Sequence, residues 1–125
     1  MIALDADVII GFLDPGDAQH ERAVETLRQV LMSGNALVVA ASVYAEILVQ
    51  PMRVGLDQRV DAFLAETSIE VVPIDRSIAR RAAGLRAKHH SLRLPDALAL
   101  ATAIERNAGV VSLDERLQRI ADTEQ

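Results

Sequence analysis

The apolar residues of this chain fall into two kinds of run. Four stretches are short and rich in β-branched or small apolar residues: Ile2–Leu4, Ala36–Ala40, Ile69–Ile74 and Val110–Ser112. Their length and flanking turn residues predict buried strands. Between them apolar residues recur at helical spacing. Asp7 to Leu13 reads as a short helix closed by the turn tripeptide Asp14-Pro15-Gly16. Asp17 is placed to cap the next helix, whose inner face is Ala23, Val24, Leu27, Val30 and Leu31 and whose stop is Gly34. Ser42 caps a third helix carrying Val43, Ala45, Glu46, Ile47 and Leu48, with Pro51 beyond its end. Val54 to Glu66 forms a fourth on Leu56, Val60, Phe63 and Leu64. Pro73 marks the third strand as an edge or its end. Asp75 then caps a helix running to about Lys88. Leu94-Pro95-Asp96 opens a helix that is apolar nearly all round from Ala97 to Ile104, hence buried, and that closes at Asn107-Ala108-Gly109. Leu113, Leu117, Ile120 and Ala121 trace a final amphipathic helix. Strands alternating with helices predict an α/β fold: an open parallel sheet of four or five short strands with helices on both faces and right-handed crossovers.

In a parallel sheet the strand ends share one edge, and ligands bind outside the carboxyl ends. Several acids are due there. Asp5 ends the first strand, Glu46 lies early in the helix after the second, Asp75 follows the third and Asp114 the fourth. Asp96 opens the buried helix. Asp75 reads as a helix cap, as do Asp17 and Asp57, and Asp114 is as readily a cap as a site residue. Glu46 and Asp96 are isolated charges in apolar surroundings, and a buried acid needs a partner. Carboxylates meeting in one pocket repel each other unless a cation sits between them. With oxygen ligands only, no Cys and no evident His pair, that cation is Mg²⁺ or Mn²⁺ rather than zinc. Such an ion points to phosphodiester or phosphate-ester chemistry.

The totals sharpen this picture in three places. The 125 residues are half hydrophobic, so one domain spanning 1–125 with a real core is expected. No apolar run is long enough to span a membrane, and Met1 leads into the first strand without a basic leader segment, so a cytoplasmic protein is expected. The net charge of −5 argues against binding nucleic acid by bulk charge, but if four of the 18 acids gather in one site, 14 remain against 13 bases. Of those bases 12 are Arg, which suits bidentate phosphate contacts.

Four segments carry a family resemblance: Ile2-Ala3-Leu4-Asp5-Ala6-Asp7-Val8-Ile9-Ile10, Ser42-Val43-Tyr44-Ala45-Glu46-Ile47, Leu94-Pro95-Asp96-Ala97-Leu98-Ala99-Leu100-Ala101-Thr102-Ala103 and Val110-Val111-Ser112-Leu113-Asp114. In order and spacing they resemble the four acidic motifs of the PIN domain, in particular its small single-domain members, the VapC-type toxins. The resemblance implies a Mg²⁺- or Mn²⁺-dependent endoribonuclease. Asp5, Glu46, Asp96 and Asp114 would form its catalytic, metal-holding cluster. Asp5 and Asp96 would be the main ligands, Glu46 a direct or water-mediated one, and Asp114 the residue that holds a second ion or orients the attacking water. Ser112 would support the site by hydrogen bonding. Asp7 departs from the family pattern, which has Ser, Thr or Asn there. It is read as a helix cap or supporting residue, with an additional ligand as the alternative. The resemblance also implies a homodimer, and an antitoxin whose C-terminal segment covers the acids and places a basic side chain among them.

Six of the 13 bases fall between Arg76 and Arg93, with His89 and His90 among them. This run is either a groove wall for RNA phosphates, with Arg86 and Arg93 contributing most, or the solvated face of a helix. His89 and His90 read as loop residues. One Tyr and two Phe leave little scope for base stacking, and Tyr44, near Glu46, is as readily core as substrate contact. The helix face from Val54 to Phe63 has apolar area to spare for a partner. Two other readings compete. Asp5-Ala6-Asp7 resembles the nucleophile motif of haloacid-dehalogenase-like phosphatases, with Asp5 phosphorylated and Asp7 as general acid. That chemistry wants a well-placed Lys, and Lys88 is the only one. A PIN-like scaffold without catalysis is the other, although none of the four acids is missing.

Overall fold

The computed structural model describes all 125 residues. In chain order they form β1 (Ile2–Leu4), α1 (Ala6–Leu13), α2 (His20–Met32), β2 (Leu37–Ala40), α3 (Ala41–Arg53), α4 (Asp57–Glu66), β3 (Glu70–Val72), α5 (Arg76–Lys88), α6 (Leu94–Glu105), β4 (Gly109–Val111) and α7 (Glu115–Glu124). The four strands make one sheet in the order β3-β2-β1-β4, every pairing parallel. The expected α/β architecture is therefore present, with four strands. No helix is long and apolar enough to cross a membrane.

Strand alternation divides the core in two. Leu4, Leu37, Val39, Val71 and Val111 face the layer built on α1 to α4, whereas Ala3, Val38, Val72 and Val110 face the layer built on α5 to α7. A sheet covered on both faces must be apolar on both, which is why β1, β2 and β4 read as unbroken apolar runs rather than as alternating ones, with a charge only at Glu70 on the edge strand β3. Register leaves all four carboxyl ends at one edge: Leu4 sits opposite Val111, and Ala40 opposite Val72. α6 is buried nearly all round, as its sequence predicts. Ala97, Leu100, Ala101 and Ala103 pack in the second layer, Ala99 in the first, and the buried Thr102 hydroxyl donates to the Leu98 carbonyl at 2.8 Å.

Several boundaries differ from expectation for local reasons. β2 runs into α3 without a loop, so Ala40 is the N-cap and makes no side-chain bond. Ser42 lies inside the helix instead of capping it, and its Oγ is buried without a partner. α3 also continues through Pro51 to Arg53, giving up only the bond that the missing N–H would make one turn back. The fourth helix begins at Asp57 rather than Val54. Asp17 does not cap α2. It closes a turn by accepting from the Gln19 N–H at 2.8 Å, and α2 starts at His20 behind Gln19. Asp75 caps α5 through the Ile78 N–H at 2.9 Å, β3 is an edge strand, and Gly34 follows α2 with φ +75°, all as the sequence predicts. Asn107 adopts the same left-handed geometry after α6 (φ +53°).

Gly11 fixes the approach of α1 to α2. A Cβ added there would lie 2.7 Å from the Cβ of Ala23, and the Gly11 carbonyl is 2.7 Å from Nδ1 of His20. Gly11→Ala is expected to destabilise the fold by about 1–3 kcal/mol, although Ala is the better helix former by about 1 kcal/mol. Adding Ala23→Gly should return most of that loss. Urea unfolding of the single and double variants measures both, and a Gly11→Ala variant more stable than the parent would contradict this account of the packing.

Candidate active site at the carboxyl edge of the sheet

Carboxylates from four separate segments meet in one cleft at the carboxyl edge. Asp5 and Asp7 come from the β1–α1 junction, Glu46 from α3, Asp96 from the first turn of α6 and Asp114 from the β4–α7 junction. A sixth carboxylate, Asp17, joins them from the α1–α2 turn, and Gln19, Ile10, Ala6 and Arg93 complete the lining of a cleft of about 210 Å³. All four acids singled out in the sequence are thus brought together, while Asp75 lines a different hollow beyond β3.

Each acid is held by a local reason. Asp5 caps α1: its Oδ1 accepts from the Ala6 N–H at 2.8 Å, and its Oδ2 accepts from the Ser112 hydroxyl at 2.8 Å. Ser112 Oγ also lies 3.2 Å from Asp7 Oδ2 and accepts from the Asp114 N–H at 3.0 Å. A hydroxyl has one proton, so Asp5 and Asp7 share a single donor and the shorter bond goes to Asp5. Asp7 is not the cap of α1, contrary to one expectation for it. It sits in the first turn and accepts from the Leu113 N–H at 3.1 and 3.2 Å, which ties α1 to the β4–α7 turn. Asp114 caps α7 with Oδ1, taking the N–H groups of Arg116 (2.9 Å) and Leu117 (3.3 Å), and still lines the cleft. Its two sequence readings are therefore compatible. Asp96 is buried, 8% exposed, and its Oδ2 lies 3.4 Å from Nε of Arg93. Glu46, by contrast, is exposed at the rim rather than buried in the apolar stretch that surrounds it in sequence.

The electrostatics follow from this crowding. Asp5, 7% exposed, has its pKa pushed up to about 6, first by burial, then by the charge of Asp7 and, more weakly, Asp96, against the bonds from Ser112 and Ala6. Burial also raises Asp7, opposed by the Leu113 and Ser112 bonds, and the partial desolvation of Glu46 on its cleft side raises that residue, with the charge of Asp96 adding to it. Arg93 is the only cation on the lining, and its side chain is 71% exposed, so its compensation is screened. The polar atoms facing the cleft are mostly carboxylate oxygens, with no His or Cys among them. That donor set suits a hard divalent cation such as Mg²⁺ or Mn²⁺. No three of these side chains are yet disposed around a common ion.

Sequence reasoning missed three contributors. Asp17 and Gln19 reach the cleft from the α1–α2 turn, which carries no strand end to mark it. Gln118, on α7, accepts from the Ser112 N–H at 3.2 Å and donates to the Val110 carbonyl at 3.1 Å, so it braces the strand that carries Ser112. Of the basic residues singled out, Arg93 lines the cleft. Arg86 does not, and its guanidinium lies 3.4 Å from the His90 carbonyl. Arg81 is paired with Glu105 and Lys88 with Glu124, so the basic run is partly neutralised. Tyr44 bonds Asp61 across α3 and α4 and is not part of the cleft lining.

An open parallel α/β sheet with an acidic cleft at its carboxyl edge defines the class of domain. The sequence profile of the PIN domain matches residues 2–123, and the chain belongs to the PIN domain family. Solved structures agree. FitAcB from Neisseria gonorrhoeae is 27% identical with a TM-score of 0.70, the match covering 98% of this chain and 94% of that one. A toxin–antitoxin complex from Klebsiella pneumoniae is 23% identical (TM-score 0.74; 93% and 88% covered). The Mycobacterium tuberculosis toxin VapC20, which cleaves the sarcin–ricin loop, is 16% identical (TM-score 0.75; 95% and 94% covered). No curated protein gives a significant sequence match. Family membership disfavours the phosphatase reading, and so does Lys88, which is tied to Glu124 and does not line the cleft.

The raised pKa of Asp5 has a signed consequence for stability. Its ordinary value of 3.8 applies in the unfolded chain, so between about pH 4 and 6 the folded state binds more protons. Asp5 therefore favours folding most below pH 4, and this is lost as pH rises through 6. At about 1.4 kcal/mol per pKa unit, Asp5→Asn should stabilise the metal-free protein at pH 7.5 by about 2–3 kcal/mol. The gap to the parent should close as pH falls to 4. Thermal unfolding in EDTA across that range tests this, and a gap that widens on acidification would refute it.

Proposed function

We propose that this chain is a divalent-metal-dependent endoribonuclease and the toxin of a type II toxin–antitoxin pair. The observation that carries the reading is the convergence of Asp5, Glu46, Asp96 and Asp114 from four segments onto one cleft whose only cation is a half-committed Arg93. Membership of the PIN domain family supports it, as do the toxin–antitoxin complex and the RNA-cleaving toxin among similar structures.

Asp5, Asp96, Glu46 and Asp114 would supply the oxygen ligands for Mg²⁺ or Mn²⁺. The chemistry that such an ion would supply when bound is charge neutralisation at a phosphate and activation of water. The protein's own part is orientation. Ser112 holds Asp5 while accepting from the backbone of Asp114, so two of the acids move as one unit. Asp7 fixes the β4–α7 turn against α1 and acts as a positioning residue rather than a ligand. Arg93 balances Asp96 before substrate arrives and is placed to meet a phosphate at the cleft mouth. The partners are an RNA substrate, a second copy in a homodimer, and an antitoxin that offers a basic side chain to the acids. Exposed Val49, Met52, Val54 and Leu56 around the α3–α4 turn provide apolar surface for such partners.

Cleavage of a mixed RNA pool by purified protein is expected with Mg²⁺ or Mn²⁺ and not in EDTA. Asp96→Asn should lower the rate by more than about 100-fold, and Asp7→Asn, acting through another residue, by roughly 10–100-fold. Mg²⁺ should raise the unfolding temperature of the parent and leave that of Asp96→Asn unchanged. Cleavage that survives Asp96→Asn, or a parent protein that neither cleaves cellular RNA nor is stabilised by either metal, would overturn the reading.

A further inference from the structure

Beside the acidic cleft lies a second hollow of opposite character. It is lined by the α5–α6 loop on one wall and by α7 on the other, with His90, Ser91, Arg116, Arg119 and Thr123 on its surface. It contains no carboxylate, in a chain whose net charge is −5. Its arginines are also free. Neither Arg116 nor Arg119 enters an ion pair, whereas the hollow along α5, lined by Arg80, Arg81 and Lys88, also holds Glu105 and Glu124, which pair with Arg81 and Lys88. His89 faces the hollow but is turned to Glu124 at 3.3 Å, so the uncommitted charge is that of Arg116 and Arg119.

The two depressions adjoin along both walls. Asp114 lines the cleft and Arg116 the hollow, and Arg93 lines the cleft and Ser91 the hollow. Each pair is two residues apart, a backbone span of at most about 7 Å. A polyanion passing over the carboxylates would therefore run directly onto the two arginines. Free guanidinium groups beside neutral hydroxyls, open to solvent, are the chemistry of phosphodiester binding.

We propose that this hollow is a phosphate subsite that holds the RNA backbone flanking the bond to be cut. The subsite rests on the ribonuclease reading for its biological use, but it is testable without cleavage, because phosphate binding there needs neither metal nor the acids. It also explains how a net acidic protein holds a polyanion beside a cluster of carboxylates: attraction is moved to the next position along the strand.

The test is the salt dependence of binding to a labelled oligouridylate in EDTA, read by fluorescence anisotropy. Each phosphate contact to a single strand contributes about 0.7 to the slope of log K against log salt, so Arg116→Gln with Arg119→Gln should reduce the slope by about 1.4 and weaken binding roughly ten- to hundredfold at low salt. Arg76→Gln with Arg80→Gln removes the same charge from α5 and should leave the slope unchanged. Equal losses in both double variants would mean diffuse attraction and overturn the subsite. So would a parent that does not bind the strand, or binding untouched by the α7 substitutions. If the α7 substitutions abolish binding of polyglutamate but not of oligouridylate, the hollow serves an acidic protein segment instead. Loss of binding in the α7 variant alongside a parent inactive in the cleavage assay would keep the subsite and discard the nuclease.

Discussion

Asp5 and Asp7 are two acids two residues apart at the start of α1, both withdrawn from water and both facing further acids. Left alone, such a pair would neutralise or swing apart. They are retained because the backbone around them donates. The Ala6 and Leu113 N–H groups and the Ser112 hydroxyl all point at them, and the Ser112 hydroxyl is oriented by the N–H of Asp114. The β1–α1 and β4–α7 junctions are therefore held to each other through the charges that repel. This arrangement requires β1 and β4 to be neighbours in register, with Leu4 opposite Val111, and it fixes the β4 side of the sheet.

The rest of the fold serves that junction. Two apolar layers cover the sheet so that its carboxyl edge is the one polar line across the core. α6 is the boldest device: a helix apolar on nearly every side whose first turn delivers a buried carboxylate. Its burial leaves Asp96 no freedom to retreat into solvent, so a counter-charge must come to it. Arg93, three residues earlier, is the resident one, and its long exposed side chain can leave when a stronger cation or an anionic strand competes.

Much of this was legible in the sequence because strand ends are easy to find and parallel strands end together. Asp5, Asp114 and Glu46 were locatable by counting from apolar runs, and Asp96 by the contradiction between its charge and its neighbours. What could not be read was any contact whose cause is non-local. Asp7 looks like a cap because caps are local, yet its partner is Leu113, over a hundred residues away. Ser42 fails as a cap because β2 and α3 are fused, a fact about strand length that the apolar run does not mark. Glu46 reads as buried because its neighbours are apolar, but a helix turns each residue by itself, and Glu46 points to the rim. The basic run misled in the same way. Charge counts along α5 do not show that Glu105 and Glu124 return from other helices to pair with Arg81 and Lys88, nor do counts along α7 show that Arg116 and Arg119 stand unpaired in a hollow without carboxylates.

Gln118 has a consequence beyond bracing Ser112. β4 is an outer strand, and the Val110 carbonyl and Ser112 N–H on its open side are the groups a further parallel strand would engage. The amide of Gln118 occupies both and so stands in for one peptide unit of that missing strand. A chain with few charges along its strands would otherwise offer an unguarded template to any extended segment it met, its own copies included. A single side chain of α7 thus covers these two groups, and the β4 edge of the sheet is closed there from within the chain.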